Sequence, residues 1–129
     1  MRRISILLLL FCTCFALAAW PQAQAQGKHK IIEFEAPGAG TGPSQGTVPV
    51  SIDSAMNIVG VCWDSNNVGH GFLRYPNGKF APSIDDPNAG TGRWQGTAAH
   101  NIVYYSGGNW ITGLYIDSNG VWHGFLRLP

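Results

Sequence analysis

Asp64-Ser65-Asn66-Asn67-Val68-Gly69-His70-Gly71-Phe72-Leu73-Arg74 returns later in the chain as Asp117-Ser118-Asn119-Gly120-Val121-Trp122-His123-Gly124-Phe125-Leu126-Arg127. A second pair flanks it: Ala39-Gly40-Thr41-Gly42-Pro43-Ser44-Gln45-Gly46-Thr47 is echoed by Ala89-Gly90-Thr91-Gly92-Arg93-Trp94-Gln95-Gly96-Thr97. A spacing of about 50 residues falls in the range of propeller blades and stacked arrays, where each unit is one supersecondary element. The chain therefore reads as two copies of one unit, spanning about 28–77 and 78–129. No stretch of this part carries a sustained helical apolar period. Short runs of Val, Ile, Phe, Trp and Tyr alternate instead with Gly, Asn, Asp and Pro, which is an all-β pattern.

Strands are predicted at Lys30–Ala36, Val48–Asp53, Asn57–Trp63 and Gly69–Tyr75 in the first unit. In the second they fall at Lys79–Asp85, Ala98–Tyr105, Asn109–Ile116 and Val121–Leu128. Each unit is thus expected to be a four-stranded antiparallel meander, propeller-blade-like. Asn77-Gly78 and Asn119-Gly120 mark tight hairpins, with a type I′ turn expected at each, and Gly107-Gly108 marks a flexible tip. Asp64 and Asp117 open Asx turns, a better reading than a calcium loop, which needs several acids where each copy has one. Val59, Val61 and Trp63 face one way and Ile58, Gly60 and Cys62 the other; Leu114 and Ile116 similarly oppose Ile111, Gly113 and Tyr115. Both strands are expected to be buried on both sides. Glycines at 60, 71, 113 and 124 fall inside strands, where close approach of another backbone or ring is the expected reason.

The N-terminus reads as a leader. Arg2 and Arg3 precede an apolar run too short to span a bilayer, and Ala23-Gln24-Ala25 supplies a cleavage site, so residues 1–25 are expected to be a signal peptide. The mature domain, 26–129, would then be secreted or periplasmic, and without a membrane anchor. Phe11 and Thr13 before the two leader cysteines argue against lipidation. Cys62 would be the sole remaining thiol, so packing rather than a disulfide must hold the fold. Without Arg2 and Arg3 the eight basic residues become six against seven acids, a charge near minus one. That balance, with no basic cluster, argues against nucleic acid or an anionic membrane as partner. Two units are fewer than a propeller or a free-standing array uses. Self-assembly into a ring, closure as a small sandwich, or a longer repeat protein of which this is a piece would each resolve the shortfall.

The His-Gly-Phe-Leu-Arg strands at 70–74 and 123–127 occur together with Pro37-Gly38-Ala39-Gly40-Thr41-Gly42 and with Ser51-Ile52-Asp53 leading to Ile58-Val59-Gly60. On these residues almost all of the mature chain resembles the bacterial extracellular HAF-repeat proteins. The resemblance implies a propeller-like β repeat outside the cytoplasm and carries no biochemical role. Two departures stand out: Met56 replaces a turn glycine, and about three extra residues lie between Ile102 and Ile111, so a remodelled tip is expected there.

Candidate chemistry is sparse, and no catalytic residue, cofactor or metal site is expected. Gly42-Pro43-Ser44-Gln45-Gly46 matches a nucleophile elbow, but no helix follows and Trp94 replaces Ser44 in the other copy. His70 and His123 recur with Phe and Arg74 or Arg127 on one strand face; a histidine held by a backbone carbonyl explains that ladder. Glu33 and Glu35 read as exposed edge charge, with Ser83 and Asp85 in their place in the second unit. Trp94, in a Gly-rich connection, is the best candidate for outside contact. The leading expectation is a non-enzymatic module acting by assembly with itself or with an extracellular protein, with Trp94, His70, His123, Arg74 and Arg127 as binding candidates. A carbohydrate-binding module using Trp94, and Trp63, Trp110 or Trp122 beside it, is the alternative; a hydrolase using the histidines and acids comes third.

Overall fold

The computed structural model describes residues 29–129; the leader expected at 1–25 lies outside them. The described chain is all-β, with β1 at Gly46–Ile52, β2 at Ile58–Trp63, β3 at Gly69–Arg74, β4 at Gly96–Tyr105, β5 at Gly108–Ile116 and β6 at Trp122–Arg127. The strands lie in the order β1-β2-β3-β4-β5-β6, and the sheet is not closed. Neighbours are antiparallel except β3 and β4, which meet in parallel at the Gly69–Gly96 pair. The result is two three-stranded meanders joined at one point. They match in detail: each first strand carries a bulge, at Val50 and at His100, and Val61 pairs with Gly71 as Leu114 pairs with Gly124.

Two of the eight expected strands are corrected. Lys30–Ala36 is not a strand, and Lys79–Asp85 contributes only a bridge between Phe80 and Arg74. Pro37, Pro82 and Pro87 interrupt ladder donors here. Ala81 N–H still donates to Leu73 O at 2.9 Å, but the last amides of the straps turn to side chains: Ala36 N–H donates to Thr47 Oγ1 at 2.8 Å and Asp86 N–H to Thr97 Oγ1 at 2.9 Å. These extended segments lie on the sheets as covering straps. Phe34 and Ala36 pack with Cys62 and Phe72 on one side of the first meander, and Ile84 packs among Val59, Leu73, Ala99 and Ile111 between the two.

The turns follow one design. Asp53 Oδ1 accepts the amides of Ala55 and Asn57, Asp64 Oδ1 those of Asn66 and Val68, and Asp117 Oδ1 those of Asn119 and Val121, all at 2.8–2.9 Å. Each loop ends in a residue of positive φ, Met56, Asn67 or Gly120. At Tyr75–Lys79 and Asp117–Val121 only Gly78 and Gly120 have positive φ, so each is a three-residue loop with a bulge and not the expected type I′ turn. The type I′ geometry sits at Ser106-Gly107, φ 51° and 84°, at the tip of the lengthened β4–β5 hairpin.

The expected burial of both central strands holds for β2 only. Val59, Gly60, Val61 and Cys62 are buried to either side, whereas β5 buries Ile111 and leaves Thr112 exposed and Leu114 and Ile116 half-buried. A Cβ at Gly60 would strike the Val48 carbonyl and the Phe72 ring, and one at Gly113 the Ala98 carbonyl and the Phe125 ring. The expected crowding fails at Gly124, where only a carbonyl 3.9 Å away is near, although its counterpart Gly71 faces Ile84 at 3.0 Å.

Candidate functional site

The two histidines sit alike on their strands but not in their surroundings. His70 lies between two carboxylates: Nδ1 is 2.8 Å from Asp85 Oδ2 and Nε2 is 3.5 Å from Asp64 Oδ2. The second oxygen of Asp85 accepts Gly71 N–H at 2.8 Å, locking the acid to the strand that carries the ring. Among the described residues His70 is held by these carboxylates and by no backbone carbonyl, which corrects the expectation from the motif. Burial alone would pull the His70 pKa down, but the hydrogen bonds and charge of Asp85 and then Asp64 outweigh it and raise it. The Asp64 carboxyl is held below its ordinary value, first by the Val68 amide and further by the Asn66 amide and His70, against the effect of burial. His123 keeps only the turn acid, with Nε2 3.1 Å from Asp117 Oδ2, and its ring stacks on Tyr115 at 4.7 Å. Asp117 is lowered by the Val121 amide first, then by His123.

Both nitrogens of His70 are engaged by carboxylates on opposite ring edges, so their oxygens do not converge on one point. Among the described residues no group of three or more His, Cys, Asp or Glu side chains is placed to hold a metal ion. A cleft of about 390 Å³ opens beside the ring, but its hydroxyl, Ser83, accepts from the Asp85 amide. The nearby Cys62 thiol is pushed up by burial and by the charge of Asp85, so it stays protonated and unreactive.

Ser44 does have the strained backbone of an elbow, φ 62°, but Trp94 has the same, φ 64°. The strain belongs to the loop. Gln45 explains why that loop recurs: its Oε1 accepts Gly42 N–H at 2.7 Å and its Nε2 donates to Ser65 O at 2.9 Å, and Gln95 binds Gly92 and Ser118 in the same way. The Ala-Gly-Thr-Gly segments are thus pinned to the adjacent Asp turn.

Trp94 is partly exposed, meets Trp63 edge-to-face at 5.3 Å, and carries the Arg93 guanidinium 5.3 Å over its ring. With Val61, Ala98, Leu114 and Trp122 it bounds a groove of about 360 Å³ whose walls are nearly all apolar. A sugar stacked there would also need partners for its hydroxyls. The amide of Gln95 at the wall is already spent at both ends. Arg74 stands 4.7 Å over Phe34 and braces the first strap, while Arg127 is exposed. Trp110 is half-buried and away from the groove.

The strongest asymmetry is one that residue types alone did not single out. Val59, Val61, Val68 and Leu73 form a buried sheet face against the second meander, and their counterparts Thr112, Leu114, Val121 and Leu126 form an open one. Leu73 is 2% exposed and Leu126 55%. Comparison of the chain with family models, curated proteins and solved structures finds no match.

Proposed function

We infer that this chain is a non-enzymatic β-repeat module of an exported protein, of the HAF-repeat kind its motifs resemble, and that it acts by assembly or protein association. Its two meanders are read as blades, each a three-stranded sheet plus a strap. The observation that carries the reading is the open β5–β6 face. Leu114, Val121, Trp122, Leu126 and Leu128 form an apolar patch on the side where the matching residues of β2 and β3 are covered. Contiguous apolar surface of this kind marks an interaction site. The histidine clusters add no nucleophile, and the Trp94 groove offers a sugar few free polar groups, which weighs against the hydrolase and carbohydrate readings.

A photo-crosslinking residue placed at position 126 tests this in the cells that make the protein. An adduct heavier than the 13.9 kDa chain, whether with itself or another protein, is expected. Absence of any protein adduct would sink the reading.

A further inference from the structure

The interface inside this chain has two halves, and each is repeated elsewhere on the molecule without a cover among the described residues. One half is the face of β2–β3 carrying Val59 and Leu73. The other is built by Ile84, Ala99, Ile102 and Ile111 of the following unit. In register, β5–β6 repeats the first half with Thr112 and Leu126. The first unit repeats the second half with Phe34, Pro49, Ile52 and Ile58, which wall a shallow apolar groove of about 270 Å³. Ile102 is 3% exposed and Ile52 53%.

Polar contacts repeat too. Asp85, on the strap, crosses to His70 and to Gly71 N–H of the preceding meander. Glu35 holds the same strap position: Ala36 N–H binds Thr47 Oγ1 as Asp86 N–H binds Thr97 Oγ1. Glu35 is exposed, and among the described residues His123 has no second acid and Gly124 no covering side chain. The departures between the two sets compensate. Across the internal seam Trp94 lies beside Gly69, with Trp94 N–H on Asn67 O and Gly69 N–H on Gln95 O, both at 2.8 Å. At the outer faces Ser44 stands for Trp94 and Trp122 for Gly69, so a large residue on one side is exchanged for a large residue on the other.

We propose that copies of this chain pack head to tail, the Phe34, Ile52 and Ile58 face of one copy on the β5–β6 face of the next, with Glu35 of the first reaching His123 and Gly124 of the second. The partner at the open face is thus a second copy of the chain, a proposal that rests on reading that face as an interaction site. The two surfaces differ, so the contact is heterologous and each added copy presents a fresh face, giving rings or filaments.

Two blocked variants test it. Leu126→Asp disables the tail face and Ile52→Asp the head face; both positions are over half exposed, so neither substitution threatens the monomer. Sedimentation equilibrium should show the unmodified protein passing beyond dimer as concentration rises and each variant alone remaining monomeric. An equimolar mixture of the two should stop at dimer. In that capped dimer, Glu35→Ala on the Leu126→Asp chain, or His123→Ala on the Ile52→Asp chain, should each weaken association about tenfold. Both together should cost no more than one. A mixture that stays monomeric, variants that associate as the unmodified protein does, or fully multiplicative effects at positions 35 and 123 would overturn the proposal. A position-126 adduct with a different protein only would overturn it as well while leaving the interaction reading intact.

Discussion

In the first meander β2 and β3 are covered on both sides, and in the second β5 and β6 are covered on one, although their sequences and hydrogen-bond registers correspond strand by strand. Phe72 and Cys62 lie under the Phe34–Ala36 strap, and Val59 and Leu73 lie under the second unit. Phe125 is likewise covered by the second strap, but Leu126 faces outward. Burial here is a property of neighbours, not of the local sequence. The proposed contact surface rests on apolar residues at positions that the described chain leaves exposed.

The sharpest way to break this comparison is to truncate the matched leucines. Leu73→Ala removes a fully buried side chain and leaves a cavity between the meanders, so a loss of about 3–4 kcal/mol is expected. Leu126→Ala should cost under about 0.5 kcal/mol in the dilute monomer, as exposed substitutions do. Urea unfolding of both variants at low protein concentration measures the difference. Equal losses would mean that the β5–β6 face is covered within the monomer.

Next in size is a pair for which the two meanders should behave alike. Gly60→Ala and Gly113→Ala each drive a Cβ into a neighbouring strand's carbonyl and a phenylalanine ring. Both clashes lie within one meander and do not depend on the stacking. Each should destabilise by about 2–3 kcal/mol, and thermal melts that separate the two widely would show that the meanders are not equivalent even internally.

These two pairs also mark what could be read from the sequence. The hairpins were legible because their signals are local: Asp at the start of each loop, a residue tolerant of positive φ at its end, and an apolar run on either side. Crowding at Gly60 and Gly113 was legible for the same reason, as both clashing groups come from paired strands. The straps were not. Ile31-Ile32 and Phe80-Ala81 look like strand, but pairing of the second strap stops at the Phe80–Arg74 bridge and the Ala81 N–H to Leu73 O bond before Pro82, and the Ala36 and Asp86 amides go to threonine hydroxyls. The His70 cluster was half-legible: Asp64 is in the same motif, whereas Asp85 arrives from a strap 15 residues away whose path depends on the second meander. The open face of β5 could not be read at all, since Leu114 and Ile116 are as apolar as the residues they match.

A smaller effect sits at Met56, whose φ of 64° places a side chain in the backbone conformation that Gly120 supplies in the Asp117 turn of the same design. Met56 is exposed, so its side chain has little packing to lose. Met56→Gly should stabilise by about 0.5–1 kcal/mol, the relief of left-handed backbone net of the added freedom of the unfolded chain. A lowered melting temperature would show that the Met56 side chain is held by contacts in the Ile32–Pro76 groove.

The smallest expected effect separates the two straps by pH. The His70 pKa is raised on folding, so its ion pairing stabilises the protein fully below the ordinary histidine value and is lost as pH rises through the higher folded value. Asp64 acts in the other direction and much lower, its contribution fading as pH falls through its depressed value. Between pH 5.5 and 8.5 the Asp64 contribution is constant while that of His70 changes, and an ion pair this exposed contributes under about 1 kcal/mol. Stability should therefore fall slightly across that window. Asp85→Asn should flatten the slope by removing the stronger partner, while Glu35→Gln, on the strap that touches no histidine within its own copy, should leave the monomer's slope unchanged. Urea midpoints at the two pH values measure both. A slope that survives Asp85→Asn would mean that the second strap does not hold His70, and the register between Glu35 and Asp85 on which head-to-tail packing depends would lose its anchor.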